Sequence, residues 1–273
     1  MTFFFVALIL ITAGSLTKDP DIAQFFVLPV GVVAVLFQKF LHKEKVRDLG
    51  FKGSSLKHAV QAIALPIFII LSVSFLDHAL GIVKIGPLSG TRHPFTGEAG
   101  ISRGEFLLVL LTSALLTFVG VFISEELGFR GYLMTRLAGH GGFKALLFSS
   151  ILFGVWHIPT SLILLGSGAL GTAIYAANIF LLGIVFGYFF LASGSLIPSS
   201  ICHGVWNALE YGLFGYGNTP AVIYGNARWL FDPEEGLIGT AVLLAVSLIL
   251  LGRVKNSKRD SYIGAAVGSR ESG

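Results

Sequence analysis

Six polar side chains sit inside or at the ends of otherwise apolar runs: Glu125, Glu126, Arg130, His157, His203 and Asn207. A charge at mid-bilayer costs about 2.5–3.5 kcal/mol on insertion scales, so such groups face a bundle interior and either do chemistry or pair off. Spacing separates the two roles. In SEELGFRGYL, residues 124–133, Glu126 and Arg130 stand four apart with the glutamate first, the favourable order for a helical ion pair. Glu125 lies about 100° away around the same helix. The predicted division is that Arg130 neutralises Glu126, while Glu125 stays free for general-base work. A solvated Glu–Arg pair at an interfacial helix end is the plain alternative for Glu126 and Arg130; the adjacent second glutamate favours chemistry.

In FGVWHIP, residues 153–159, His157 follows Phe153 by one turn, and Pro159 removes a backbone hydrogen bond and can kink the helix. A lone histidine in an apolar helix is most often a hydrogen-bonded core residue, but this one has company. In SLIPSSICHGVWNAL, residues 195–209, Pro198 marks a helix start. His203 and Asn207 are four apart, so imidazole and carboxamide share a face and can donate to a developing oxyanion. Cys202 diverges from His203 by about 100° and reads as a packing residue. A base for water, an orienting partner and oxyanion donors are what amide hydrolysis needs. Neither Ser124 nor Ser200 has a recognisable partner as a nucleophile, so direct attack by water is the simpler chemistry.

The elements that must position these groups are membrane helices. Hydrophobic residues make up 54% of the 273 residues and charged residues 12%, about half the usual ~25% charge. Mean hydropathy is +0.81. That composition excludes a soluble globular enzyme, a disordered chain and a collagen-like or repeat protein. One cysteine excludes a disulfide framework or cysteine-rich zinc module, and no basic–aromatic run points to nucleic acid.

With roughly 20 apolar residues per crossing, spans are predicted near 3–17, 22–41, 59–80, 104–125, 145–165, 171–193, 198–215 and 236–252. The fold class is therefore an all-α polytopic membrane bundle of about eight transmembrane helices. The first span is short, but lacks a cleavage site and counts as a helix. Fourteen of the 19 basic residues fall on one side: Lys39, Lys43, Lys45, Arg47, Lys52, Lys57, Arg130, Arg136, Lys144, Arg253, Lys255, Lys258, Arg259 and Arg270. That asymmetry places both termini in the cytoplasm. Segment 46–58 reads as a short amphipathic stretch along the cytoplasmic interface. Loop 81–103, with Gly86-Pro87 and His93-Pro94, reads as irregular and external, and the tail from Arg253 as polar and mobile.

Glu125-Glu126 with Arg130, Phe153 with His157, and His203 with Asn207, in that order, resemble the EExxxR, FxxxH and HxxxN motifs of the CPBP family. This family holds the type II CAAX prenyl endopeptidases (the Ras-converting enzyme group) and prokaryotic relatives, including bacteriocin-processing and immunity proteins. The resemblance covers about residues 104–215, a catalytic core between N-terminal helices with a basic loop (1–103) and an external loop, last helix and tail (216–273). It implies an intramembrane endopeptidase in a prokaryotic cell membrane, its site facing the cytoplasm. Glu125 and His157 would activate water, His203 and Asn207 would stabilise the oxyanion, and Glu126 and Arg130 would hold the site together.

The family has also been described as metalloproteases, and Glu125, His157 and His203 could supply three ligands of a zinc ion. There is no HExxH helix, and the expectation is water activation without a cofactor. The partners implied are the bilayer and a peptide at the membrane, with a prenylated CAAX end as one possibility. Two rivals come from other classes: a non-catalytic scaffold or immunity protein, and a proton-coupled transporter. The second would favour paired, broken, symmetry-related helices that the sequence does not show.

Overall fold

The structure is a computed structural model that describes residues 1–88, 100–215 and 221–256. Within them eight helices form a bundle: α1 Thr2–Leu16, α2 Pro20–Leu41, α3 Leu56–Ala79, α4 Arg103–His140, α5 Gly142–Leu164, α6 Gly168–Ser193, α7 Leu196–Phe214 and α8 Leu237–Asn256. Their starts are written in the sequence. Asp19 caps α2 just ahead of Pro20, Ser55 caps α3, and Ser102 with Glu105 forms a reciprocal capping box on α4. Ser195 caps α7, so that helix begins ahead of Pro198, which sits in its first turn. The start expected at the proline moves back because the serine hydroxyl satisfies the Ile197 N–H.

Six of the eight helices are long and apolar enough to cross a membrane. The two that fall short do so for different reasons. The 15 residues of α1 reach about 22 Å at 1.5 Å per residue, short of a hydrocarbon core of about 30 Å. The 19 residues of α7 are enough in length. Their apolarity is diluted by Ser199, Ser200, His203, Asn207 and Glu210, all buried among the other helices.

Because successive helices alternate in direction, the connections fall in two sets. At one end lie Met1, the 42–55 segment, the α4–α5 and α6–α7 turns and the last turn of α8. At the other lie the α1–α2, α3–α4, α5–α6 and α7–α8 connections. There strands β1 Lys84–Ile85 and β2 Ile223–Tyr224 pair antiparallel, Lys84 opposite Tyr224. These are the strap end and the ribbon end below. Residues 89–99 of the loop expected over 81–103, His93-Pro94 included, lie outside the described residues, as does the tail beyond Asn256.

The 42–55 segment takes in most of the stretch expected over 46–58. It makes one tight turn, Val46–Leu49, and folds inward. Leu49 is fully buried, and its carbonyl reaches within 2.8 Å of where a Cβ on Gly131 would stand. Leu196 N donates to Gly50 O at 3.1 Å and Ser195 Oγ to Lys52 O at 2.5 Å. Arg136, held by Glu44 and Gln38, and Tyr132, bonded to His42 at 2.8 Å, fasten the rest to α4.

Helix α4 is the axis of the molecule. Its second half, Phe122–Met134, widens into a π-helix, and every residue from Ser124 to Met134 is buried. Wide turns of this kind are rare and concentrate at functional sites. Against it α2 makes its closest approach at Gly31, where a Cβ would stand 1.8 Å from Ile123 O. Only glycine allows backbones to meet so closely, the usual device for packing helices in lipid.

Candidate active site

Glu126 is fully buried and meets three other side chains. Its Oε1 stands 3.1 Å from Arg130 Nη1 and 2.9 Å from His203 Nδ1. Its Oε2 accepts from the Ser199 hydroxyl, which also lies 2.9 Å from Phe186 O. Arg130 is 1% exposed. Its Nη2 donates to Gly183 O at 3.4 Å, and its plane covers Phe153 at 4.2 Å. The expected pairing of Glu126 with Arg130 is thus present, in a knot that also includes α6 and α7.

Ser199 was not singled out by the sequence reading, although the signal is there. Ser199, His203 and Asn207 stand at i, i+4 and i+8 on one face of α7. The geometry also assigns the two His203 nitrogens: Nδ1 is taken by Glu126, leaving Nε2 as the atom with freedom to act. Phe186 stacks on the imidazole at 4.4 Å, which fixes the plane of the ring.

Glu125 behaves differently, although it is the next residue. Its Oε2 is buried, takes no hydrogen bond from the described residues, and stands 3.7 Å from His157 Nε2. The π-helical turn explains how both glutamates point inward, because its wider turn reduces the angle between successive side chains below the 100° of an α-helix. His157 sits where α5 breaks, between the regular helix ending at Trp156 and the wide turn Thr160–Leu164. Pro159 lies at that break, as its missing N–H leads one to expect. His157 Nδ1 stands 2.9 Å from Phe153 O. With the proton on Nδ1, Nε2 carries the lone pair that faces Glu125.

Glu125, His157, His203 and Asn207 all line one cavity of about 50 Å³. At roughly 30 Å³ of liquid per water, that holds a small reactant and not a peptide. A chamber of about 600 Å³ adjoins it between α2, α4 and α7, sharing Glu125, Asn207, Gln24, Val27 and Tyr211. Its walls include Phe25, Leu28, Leu110 and Leu116, so it offers an apolar path to the two polar groups at its inner end.

Among the described residues no three His, Cys, Asp or Glu side chains are grouped to hold a metal ion. The trio of Glu125, His157 and His203 therefore does not fit a zinc site as these side chains are placed. Cys202 is buried and packs beside the knot, in keeping with a filling role.

Glu234 was missed. It lies ahead of α8, lines the small cavity and accepts from Trp206 Nε1 at 2.6 Å. Nothing near it in sequence signals this, because the contact joins the α7–α8 connection to the residue beside Asn207. Asn178 holds the same connection through the carbonyls of Glu234 and Gly236 at 2.9 and 3.2 Å. Burial pushes the Glu234 carboxyl up to about 8, with Asp232 and Glu235 adding to the rise and Trp206 and Arg228 opposing it.

Residues 107–209 match the family model described as type II CAAX prenyl endopeptidase, Rce1-like, a family of proteases. No curated protein matches the chain. The matched stretch runs from Leu107 in α4 to Leu209 in α7 and contains all six polar residues with which the sequence reading began. With six helices long and apolar enough to cross a membrane, this marks an integral membrane protein.

Two outcomes follow from these contacts. Arg130→Ala leaves Glu126 buried without its main counter-ion, a loss of roughly 3–5 kcal/mol for a broken buried pair. It is expected to lower folded yield and thermal stability in detergent; normal accumulation would contradict the pairing. Glu234 has a folded pKa of about 8 against an ordinary 4.5, so the folded state holds the extra proton. Its contribution to stability is full below pH 4.5 and is lost as pH rises through 8. Glu234→Gln should flatten the fall in melting temperature across that window, and an unchanged slope would assign the fall to other groups.

Proposed function

We propose that this protein is an intramembrane endopeptidase that hydrolyses a peptide bond of a membrane-associated substrate by direct attack of water. The observation that carries the reading is the meeting of Glu125, His157, His203 and Asn207, from three helices, at one small cavity. The match of residues 107–209 to a protease family supports it.

The chemistry follows from which atoms are free. Glu125 Oε2 and His157 Nε2 are acceptors 3.7 Å apart, close enough to bind the same water molecule. Glu125 takes one proton as the water oxygen attacks the carbonyl carbon. Negative charge then develops on the former carbonyl oxygen. Asn207 can donate to it through Nδ2. His203 can donate only through Nε2, because Nδ1 is directed to Glu126, so it acts as an imidazolium held by that carboxylate. The carbon–nitrogen bond breaks as Glu125 passes its proton to the departing amine. Glu126, Arg130 and Ser199 position His203 and do not touch the reactants.

The adjoining 600 Å³ chamber suits an apolar segment of substrate or a lipid attached to it. A prenylated CAAX end fits that description, as does the membrane-proximal part of another anchored peptide. The reaction is proposed to need no resident metal.

Glu125→Ala and His157→Ala are each expected to lower cleavage by at least about 100-fold, in the range for loss of an acid–base group, while the protein remains folded. The assay uses purified protein in lipid with a CAAX-ended peptide, prenylated and unprenylated, as probes. Wild-type-like turnover by either folded variant overturns the mechanism. Chelator treatment is expected to leave the rate unchanged. Loss of activity with recovery on adding zinc would replace water activation by the two side chains with metal chemistry.

A further inference from the structure

The chamber of about 600 Å³ between α2, α4 and α7 is apolar over much of its wall, yet it holds hydrogen-bonding groups that the fold leaves unused. On α4 these are the hydroxyls of Ser113 and Thr117, with Gly120 three residues further on the same face. Hydroxyls inside helices commonly turn back onto the carbonyl four residues earlier, as those of Ser72, Ser124, Ser150 and Ser193 do. Ser113 and Thr117 make no hydrogen bond with the described residues. Gln24, the one polar side chain of α2 from Ile22 to Phe37, lines the same chamber and is equally unbonded. Asn207 of α7 lines it too, beside Glu125; it is 8% exposed, and its carboxamide has no partner among the described residues.

Helix packing does not account for the α4 row. Helix α7 meets α4 along a neighbouring row, where a Cβ on Gly204 would stand 3.0 Å from Ala114 O and 2.9 Å from Phe118 Cα. A Cβ on Gly120 would meet nothing within 4 Å, so glycine there leaves the backbone bare towards the chamber. A lipid chain gains nothing from such groups, because hydroxyls and carboxamides against hydrocarbon go unsatisfied. A peptide backbone satisfies them. Ser113 and Thr117 stand about 6 Å apart along the helix, close to the ~6.8 Å over which an extended chain repeats the groups on one edge. From Ser113 to Glu125 is roughly 18 Å at the same rise, the length of about five extended residues.

We infer that the chamber is a binding track for an extended peptide, its backbone lying along Ser113, Thr117 and Gly120, with Gln24 reaching it from α2. The apolar side chains of that peptide rest on Phe25, Leu28, Leu110 and Leu116. Asn207 and Glu125 stand where the track meets the small cavity, since both line the two spaces. That the bound chain is also the chain that is cut rests on the endopeptidase reading; that a peptide binds does not.

The test is binding of a fluorescent, unprenylated CAAX-ended peptide, preceded by apolar residues, to the whole chain purified in lipid nanodiscs. Ser113→Ala combined with Thr117→Val is expected to weaken binding about tenfold, the equivalent of two ordinary hydrogen bonds. Gly120→Leu has room to fold and fills the track, so it should weaken binding at least as much. Melting temperatures close to the wild-type value separate loss of the track from loss of the fold. Replacing single backbone amides of the peptide by esters should cost wild-type affinity at alternate positions, and the double variant should lose that pattern. The ester scan is read on the wild type and needs no variant to fold; equal affinity for every ester overturns the track. A folded double variant that binds as tightly as the wild type, as a lipid-filled chamber requires, overturns it as well, and so does a wild-type protein that binds no peptide. Hydroxyl-dependent binding without any cleavage sinks the endopeptidase reading and leaves the track standing.

Discussion

The Glu126 carboxylate, fully buried in a membrane bundle, constrains everything around it. An ion removed from water in this way is tolerated only when its charge and its lone pairs are satisfied together. Arg130 supplies the charge, and His203 and Ser199 supply donors. Arg130 is in turn sandwiched against Phe153 and bonded to Gly183 O. Four helices are thereby fixed to one point: α4 through the pair itself, α5 through Phe153, α6 through Gly183 and Phe186, and α7 through Ser199 and His203. In lipid there is little hydrophobic drive to bring helices together, so a polar knot of this kind specifies which helices meet and at what height.

The knot also settles the difference between adjacent glutamates. Once Arg130, His203 and Ser199 are engaged with Glu126, no donor of that set remains for Glu125. The π-helical turn keeps Glu125 directed inward instead of out to lipid, and the break in α5 brings His157 to meet it. Two local departures from α-helical geometry, at Phe122–Met134 and Thr160–Leu164, thus shape the cavity. Each leaves backbone or side-chain groups in an arrangement that a straight helix would not give.

Polarity of the whole bundle follows from packing at the ends. The strap folds over α4 and α7 because Gly131 leaves room for Leu49 and because Gly50 and Lys52 offer carbonyls to the start of α7. At the other end the ribbon and the Arg228 cluster hold the α7–α8 connection, and Asn178 and Trp206 draw Glu234 down to the cavity. A closed floor and an open mouth result from the same eight helices.

The sequence by itself determined the helical membrane architecture, the Glu126–Arg130 pair and the polar stripe on α7, because each depends on periodicity within a single helix or on composition. Apolar runs, caps such as Asp19-Pro20 and Ser102 with Glu105, and four-residue spacings are local, and local rules read them. Only the tertiary structure decided that Ser199 and His203 serve Glu126, that Glu234 reaches the cavity, and which end of the cavity is sealed. Those outcomes depend on contacts between helices far apart in the chain and on the width of a turn. Spacing along one helix can place Ser199, His203 and Asn207 on a common face, but it does not name the partner that face meets.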